Sequence, residues 1–358
     1  MIKFLYKSFS QINLNDSFFD SLRNDYQEFN NWFSKKSLAH ENAFVLYNDE
    51  SKIIAFLYLK SENETIPLTN SNLPIGNRIK IGTFKIDNTI RNLRLGEGML
   101  GIALWKWQKD DSIEIYTTVF EKHNELINLL ERFGFLNVGV NSRGERIYLK
   151  TKKKIDFSEA YKSFPFIGKS VFQNCRLIPI EQEYHDQLFP YSELANNKYD
   201  VESITAGNGI TKIYIATPSS TLDFHKGDQA FIYRKSNIPP KKYKSVITSF
   251  CTISKIIQIK INWKILKTFK DFLNIVGNKT VYPKEELEEI FKSQKNIILI
   301  ELIYNGYFGA GNNVNWDTLV TNNLWWEDYP YLFKYDLNQF IEILKLGKVN
   351  INQIIYEK

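Results

Sequence analysis

Two glycines and a pair of arginines meet in the segment Arg91-Asn92-Leu93-Arg94-Leu95-Gly96-Glu97-Gly98-Met99-Leu100. Ahead of it runs the strand-like Ile79-Lys80-Ile81-Gly82-Thr83-Phe84-Lys85-Ile86-Asp87, and after it an amphipathic helix as far as Lys109. A strand, a glycine turn and a helix start, in that order, make an anion site. Backbone N–H groups at a helix N-terminus point outward, the dipole favours negative charge, and glycine lets a pyrophosphate approach the backbone. An ordinary tight turn needs the same glycines. No Gly-Lys-Ser/Thr follows, so this is not a P-loop, and the third glycine of the dinucleotide fingerprint is missing. Further along, the strand Ile115-Tyr116-Thr117-Thr118-Val119 leads to His123, which opens another helix. A histidine there either caps the helix or moves a proton near neutrality. Tyr116 and Thr118 alternate onto one face of that strand, which turns one of them toward the same gap. His123 and Tyr116 are the candidate catalytic residues.

The elements that position these groups follow from periodicity. Ile2 to Lys7 reads as a strand. From Asp16 as cap, Phe18, Phe19, Leu22, Tyr26, Phe29 and Phe33 recur at three and four, one face of a helix. Ala43 to Tyr47 and Lys52 to Lys60 form a hairpin about Asn48-Asp49-Glu50-Ser51. Ser61 to Asn77, with Pro67 and Pro74, reads as a surface loop. Arg78 to Asp87 is a strand, Gly96 to Lys109 a helix with Trp105 and Trp107 in the core, and Ile113 to Val119 a strand. Glu121 to Phe133 is a helix closed by Gly134, and Phe135 to Val140 and Arg146 to Thr151 are paired strands. The order is β-α-β-β-β-α-β-α-β-β.

That order, the Leu93-Arg94-Leu95-Gly96-Glu97-Gly98 turn, and a downstream helix running His123-Asn124-Glu125 to Arg132-Phe133-Gly134-Phe135 resemble the GCN5-related N-acetyltransferases (GNAT) over residues 1–152. The resemblance implies acetyl-coenzyme A as cofactor. Backbone groups of Phe84, Lys85 and Ile86 would take the pantetheine arm as an added strand. The backbone of Arg94, Leu95, Gly96, Glu97, Gly98 and Met99 would cradle the pyrophosphate, with the Arg91 or Arg94 side chain adding charge. Two positions depart from the family pattern. Leu93 stands where an Arg or Gln is usual. Leu130 stands where many members have a tyrosine to protonate the leaving thiolate.

The remaining chain changes character after the run Lys152-Lys153-Lys154, and 153–171 reads as a connector. Strand-like runs then dominate: Cys175 to Ile180, Lys212 to Ala216, Gln229 to Arg234, Lys244 to Lys260 and Ile297 to Tyr304. Turns such as Ala206-Gly207-Asn208-Gly209 separate them. Helices fall at Leu266 to Asn274, Lys284 to Lys292 and Leu337 to Leu346. This predicts an α+β unit around a small, mostly antiparallel barrel over 172–358. The Gly227-Asp228 entry, the Tyr233-Arg234 exit and the strand Ser245 to Ile253 resemble the PUA-like superfamily, which includes the ASCH and EVE domains. The ASCH signature Gly-x-Lys-x-x-Glu-x-Arg is absent. The resemblance implies binding of RNA, by Arg234 and Lys279 at phosphates and by Tyr233, Trp325, Trp326 and Tyr329 as stacking faces.

Composition narrows the class. The chain has 358 residues, enough for two cores, is 43% hydrophobic and 24% charged, and carries a net charge of +6. It is neither disordered nor strongly polyanion-seeking. The two cysteines, Cys175 and Cys251, and the histidines His40, His123, His185 and His225 show no metal-ligand spacing, so no metal is expected. Few cysteines, no long apolar run and no cleavage site at the start make a cytoplasmic, non-membrane protein the expectation. The reading is an acetyl-coenzyme A-dependent acyltransferase delivered to an RNA (tRNA) or DNA-associated acceptor. The rival readings are a non-catalytic acetyl-coenzyme A-sensing regulator and a protein N-acetyltransferase. The acceptor loops would be Asn31 to Glu41 and Ser61 to Asn77.

Overall fold

The computed structural model describes residues 4–90, 93–190, 208–220 and 222–357. The chain divides into two compact units, Met1–Lys154 and Ile155–Lys358. Among the described residues no helix is long and apolar enough to cross a membrane.

The first unit runs β1 (Leu5–Ser8), α1 (Asp20–Asp25), α2 (Phe29–Leu38), β2 (Asn42–Tyr47), β3 (Ile53–Pro67), β4 (Asn72–Ile86), α3 (Leu95–Lys109), β5 (Glu114–Val119), α4 (Asn124–Arg132), β6 (Leu136–Val140) and β7 (Arg146–Thr151). The sheet order is β1-β2-β3-β4-β5-β7-β6. Among the described residues of this unit only β4 and β5 are parallel. A parallel pair needs a crossover, and α3 supplies it.

The helix expected from Asp16 onward is broken into three. Asp16 caps a 3-10 turn, Ser17–Phe19, by accepting from the Phe18 N–H at 2.9 Å. The chain then breaks again at Tyr26, which is extended. The apolar stripe still does its work. Phe9, Phe18, Phe19, Phe29 and Phe33 bury against Phe56 and Tyr58. Gly134 closes α4 as expected. At φ 81° it lets the Gly134 N–H reach the Glu131 carbonyl and the Phe135 N–H reach the Leu130 carbonyl, each at 3.0 Å, a Schellman closure. Trp105 and Trp107 are buried, as read from the sequence.

The loop expected over residues 61–77 is instead a long antiparallel hairpin, because β3 and β4 are each 15 residues long. Its two prolines are placed where a ladder tolerates them. Pro67 ends β3, and Pro74 sits at the register shift between the pairs Glu64↔Gly76 and Ile66↔Leu73. The buried Arg78 guanidinium donates to the Glu64 carbonyl at 3.0 Å and the Pro74 carbonyl at 2.8 Å. It supplies the donors that the bulge removes.

In the second unit the sheet order is β10-β14-β12-β11-β9-β16, from β9 (Cys175–Glu181), β10 (Thr211–Ala216), β11 (Gln229–Lys235), β12 (Val246–Ile261), β14 (Ile297–Tyr307) and β16 (Lys334–Tyr335). The short β13 (Lys264–Ile265) and β15 (Val314–Asn315) pair with β12. The path starts at β10 and ends at β16, so among the described residues the sheet is open and the expected barrel is not closed. β9 and β11 are parallel. The segment read as a connector carries structure of its own: a helical turn, Ala160–Ser163, and β8 (Ile167–Gly168), which pairs with β17 (Ile355–Tyr356). Among the described residues, apolar clusters form around Phe231, Phe250 and Phe340 and around Ile213, Phe272 and Leu299. Cys175 and Cys251 are fully buried free thiols, and burial pushes both well above the ordinary thiol range. Gly207 and Ala206 of the expected turn lie outside the described residues.

Candidate active site

Among the described residues the sheet of the first unit opens between β4 and β5. β4 and β5 are paired from Arg78↔Glu114 to Ile81↔Thr117 and no further. Beyond that rung β4 runs on to Ile86, held on its other edge by β3, and β5 runs on to Val119, held by β7. Between them the β5-facing edge of Gly82–Ile86 has no strand partner among the described residues. Such an edge offers N–H and C=O groups to an extended ligand. Phe84, Lys85 and Ile86 therefore sit where the sequence placed them, on an open edge.

The start of α3 stands at this opening. Gly96, in its first turn, has space for a Cβ only at ordinary contact distance, 3.5 Å from Ile86 Cδ1 and 3.6 Å from Leu129 Cδ2. The glycine turn, the end of β4 and α4 are thereby brought together. The first-turn N–H groups lack intrahelical acceptors. Arg94 precedes the helix in the left-handed region, φ 54°, a conformation that costs a non-glycine residue about 1–2 kcal/mol. Its guanidinium lies 2.6 Å from Glu97, with both side chains largely buried. Arg94 thus brings a neutralised pair to the helix start, not the uncompensated charge expected of it. Leu95, Gly98 and Met99 are buried and position the turn through packing. Arg91 lies outside the described residues.

His123 caps α4 without a side-chain hydrogen bond and is exposed. Such desolvation as the ring suffers, then the ammonium groups of Lys122 and Lys85, hold its imidazole below the ordinary value against the pull of Asp25. Desolvation and the two ammonium groups favour the neutral ring. Tyr116 is the opposite case. Its side chain is buried, and its hydroxyl donates to Glu62. Burial first, then that carboxylate, push the phenol far up. A phenol so committed is a poor proton donor to a departing thiolate, and its hydroxyl is spent on Glu62. Leu130, on the inner face of α4, is fully buried.

Sequence reasoning missed a group on the face of β5 that carries Thr118. Glu145, only 4% exposed, accepts hydrogen bonds from Tyr26 Oη at 2.7 Å, Asn141 Nδ2 at 2.8 Å and Thr118 Oγ1 at 3.3 Å. The first unit pairs other tyrosines with glutamates as well: Tyr58 with Glu41 at 2.7 Å, Tyr148 with Glu131 at 2.8 Å and Tyr116 with Glu62. Glu41 and Glu62 each also have a lysine partner, Lys36 and Lys60. Glu145 has no cation within ion-pair distance among the described residues. The only signal in the sequence was the turn Asn141 to Glu145, which reads as an ordinary hairpin loop.

In the second unit the expected phosphate ligands are turned inward. Arg234 is 7% exposed and holds Asp186 in a two-pronged pair, Nε to Oδ1 at 2.7 Å and Nη2 to Oδ2 at 3.0 Å. Lys279 Nζ is 3.0 Å from Glu301. Neither displays its charge, because a buried carboxylate must be matched. Tyr233 is buried, with Trp325 packed against its ring at 5.1 Å. Trp326 is 46% exposed and rests on Phe333 and Tyr335, so of the adjacent tryptophans one faces the core and one faces out. The exposed cations lie elsewhere. Lys255, Lys264, Lys267, Lys270 and Lys295 are all exposed. Between Ile261 and Lys264, Asn262 (φ 49°) and Trp263 (φ 70°) make a two-residue hairpin turn that holds Trp263 58% exposed.

No protein-family model matches the chain, and no curated protein matches it in sequence. Solved structures similar to it in fold include Arabidopsis thaliana NAA60 in complex with a bisubstrate analogue, at 13% identity and a TM-score of 0.30, over 42% of this chain and 98% of that one. The PaiA N-acetyltransferase from Thermoplasma acidophilum in complex with coenzyme A is similar at 15% identity and a TM-score of 0.27, over 37% of this chain and 76% of that one. ASCH from Zymomonas mobilis is similar at 11% identity and a TM-score of 0.31, over 48% and 94%. Both kinds of protein named by the sequence resemblance are among these neighbours.

Proposed function

We propose that the first unit is an acetyl-coenzyme A-dependent N-acyltransferase and that the second unit brings it to a nucleic-acid-associated acceptor. The observation that carries the first half is the parting of β4 from β5 after Ile81 and Thr117, with the glycine turn of α3 at its mouth. The open edge at Phe84, Lys85 and Ile86 suits an amide-bearing arm. The helix start at Leu95, Gly96 and Glu97 suits a pyrophosphate, and Gly96 leaves it room. Exposed lysines around the Trp263 hairpin support the second half, since lysines match phosphates and an exposed indole stacks bases.

Calorimetric titration with acetyl-coenzyme A tests the donor site, and thiol release in the presence of amine-bearing peptides, polyamines or total tRNA tests transfer. Binding with turnover on any of these supports the enzyme. Leu130, buried where many acetyltransferases carry an acid, favours a second reading, a regulator that senses the thioester. Binding with no turnover on any acceptor would establish that one. A +42 Da adduct sought on tRNA, DNA and protein from overproducing cells identifies the acceptor.

A further inference from the structure

The two faces of the open sheet are chemically different. Ile86, Gly96 and Leu129 come together on one face. Lys85, one residue out of phase with Ile86, reaches Ser21 beside α1 on the other. Thr118 belongs to that second face, because it bonds Glu145, which also receives Tyr26 from the break between α1 and α2. A donor laid against the helix start of α3 and an acceptor entering past Tyr26 therefore meet at the opening from opposite sides.

We propose that the acceptor is a primary alkylammonium and that Thr118 and Glu145 remove its proton. This rests on the acyltransferase reading. Thr118 is half-buried on the edge of β5 that β4 has left, beyond the last pair Ile81↔Thr117. Its hydroxyl donates to Glu145 and so presents lone pairs to an incoming N–H. Glu145 is enclosed and has three hydrogen-bond donors but, among the described residues, no cation within ion-pair distance, so no ion pair holds it away from the opening. Other groups near it are already engaged with each other. Arg143 pairs with Glu28, Lys122 with Asp25, and Arg146 with Glu121; Lys85, on the same face, is bonded to Ser21, and His123 caps α4.

The step balances as follows. The ammonium gives a proton to Thr118 Oγ1 as the hydroxyl's own proton passes to Glu145 Oε1, leaving a neutral amine. Its lone pair forms the N–C bond to the acetyl carbonyl. The C–S bond breaks with its electron pair on sulfur, and the surplus proton on nitrogen goes to the thiolate. Glu145 then returns its proton to water.

The test compares nucleophiles that differ in protonation. At pH 7 an alkylamine such as spermidine, or a peptide amine, is mostly an ammonium, whereas methoxyamine, a much weaker base, is neutral. In Glu145→Gln, thiol release with alkylamines should fall by about 10²-fold or more, release with methoxyamine should stay within severalfold of wild type, and acetyl-coenzyme A affinity by calorimetry should be unchanged. Thr118→Val should show the same selective loss, and Glu145→Asp should recover part of it. Equal losses with both nucleophiles, or none, overturn the assignment, as does wild-type protein that binds acetyl-coenzyme A but acylates methoxyamine alone. Wild-type protein that does not bind acetyl-coenzyme A removes the acyltransferase reading itself.

Discussion

Arg78 and Glu114 are partners twice over. They face each other at the first rung of the parallel β4–β5 pair, and Arg78 Nε donates to Glu114 Oε2 at 2.6 Å. The same guanidinium closes the bulge in the β3–β4 hairpin. The two strands are thus clamped at one end and part at the other, and the clamp fixes where they part.

Arg78→Ala removes the clamp and leaves the Glu64 and Pro74 carbonyls short of donors. The expected cost is about 3 kcal/mol, since one largely buried partner of an ion pair goes, and with it two hydrogen bonds to backbone. Denaturant unfolding measures it. A cost below about 0.5 kcal/mol, the size of an ordinary surface change, would show that the strands are held by their ladder alone.

Gly96→Glu tests the donor site. The neighbours of Gly96 stand at ordinary contact distance, so the added Cβ fits and the fold should survive. The carboxylate then faces a pyrophosphate. Two like charges 4 Å apart at an effective dielectric near 20 repel by about 4 kcal/mol, so affinity for acetyl-coenzyme A should drop by orders of magnitude. Unchanged calorimetric binding would place the pyrophosphate elsewhere.

The buried His185–Asp186–Arg234 group makes the second unit acid-sensitive in two stages. His185 donates or accepts at Asp186 and Thr248, at 2.9 and 2.8 Å, and burial holds its imidazole below the ordinary value. The unfolded chain therefore takes up a proton from about pH 6.5 downward that the folded unit refuses, and stability falls with pH. One such proton costs at most about 1.4 kcal/mol per pH unit. Burial pushes the Asp186 carboxyl up, but the bonds from His185 and Arg234 more than offset it and leave it below its usual value. Its contribution, present above about pH 4, fades below that. Unfolding of the whole protein at steps from about pH 7 down to about pH 2 reads both stages, and His185→Gln should flatten the first.

Trp263 occupies a position better suited to glycine. At φ 70° an L-residue is strained, so Trp263→Gly should stabilise the hairpin by about 1 kcal/mol. If the ring stacks on bases, the same change should weaken single-stranded RNA binding at every salt concentration. Replacing Lys264, Lys267 and Lys270 by alanine should instead flatten the salt dependence. On a log–log plot the slope should drop by about 0.7 for each single-strand phosphate that the lysines had neutralised. Unaltered RNA binding in both variants would leave a protein acceptor as the better assignment.

Signals that are local in the chain were legible before the fold was known. The glycine turn at Gly96, the cap at Gly134 and the strand edge ending at Ile86 each depend on a few neighbouring residues, and each stands where the sequence put it. Long-range partnerships were not legible. Arg234 reads as a phosphate ligand until Asp186, 48 positions earlier, is found against it. Glu145 reads as a turn residue until Tyr26, 119 positions away, is brought to it. The prolines and polar residues of 61–77 argue for a loop. They form a hairpin because one arginine from further along β4 supplies the missing donors.

The burial of Cys175 and Cys251 has a practical side. They are the only cysteines in the chain, both in the second unit, and their raised thiols have almost no thiolate at assay pH. A thiol-reactive dye added during turnover should therefore report liberated coenzyme A against a protein background near zero. Without added donor the same dye becomes a clock: its slow uptake times the opening of the second unit alone, because the first unit carries no sulfhydryl to answer it.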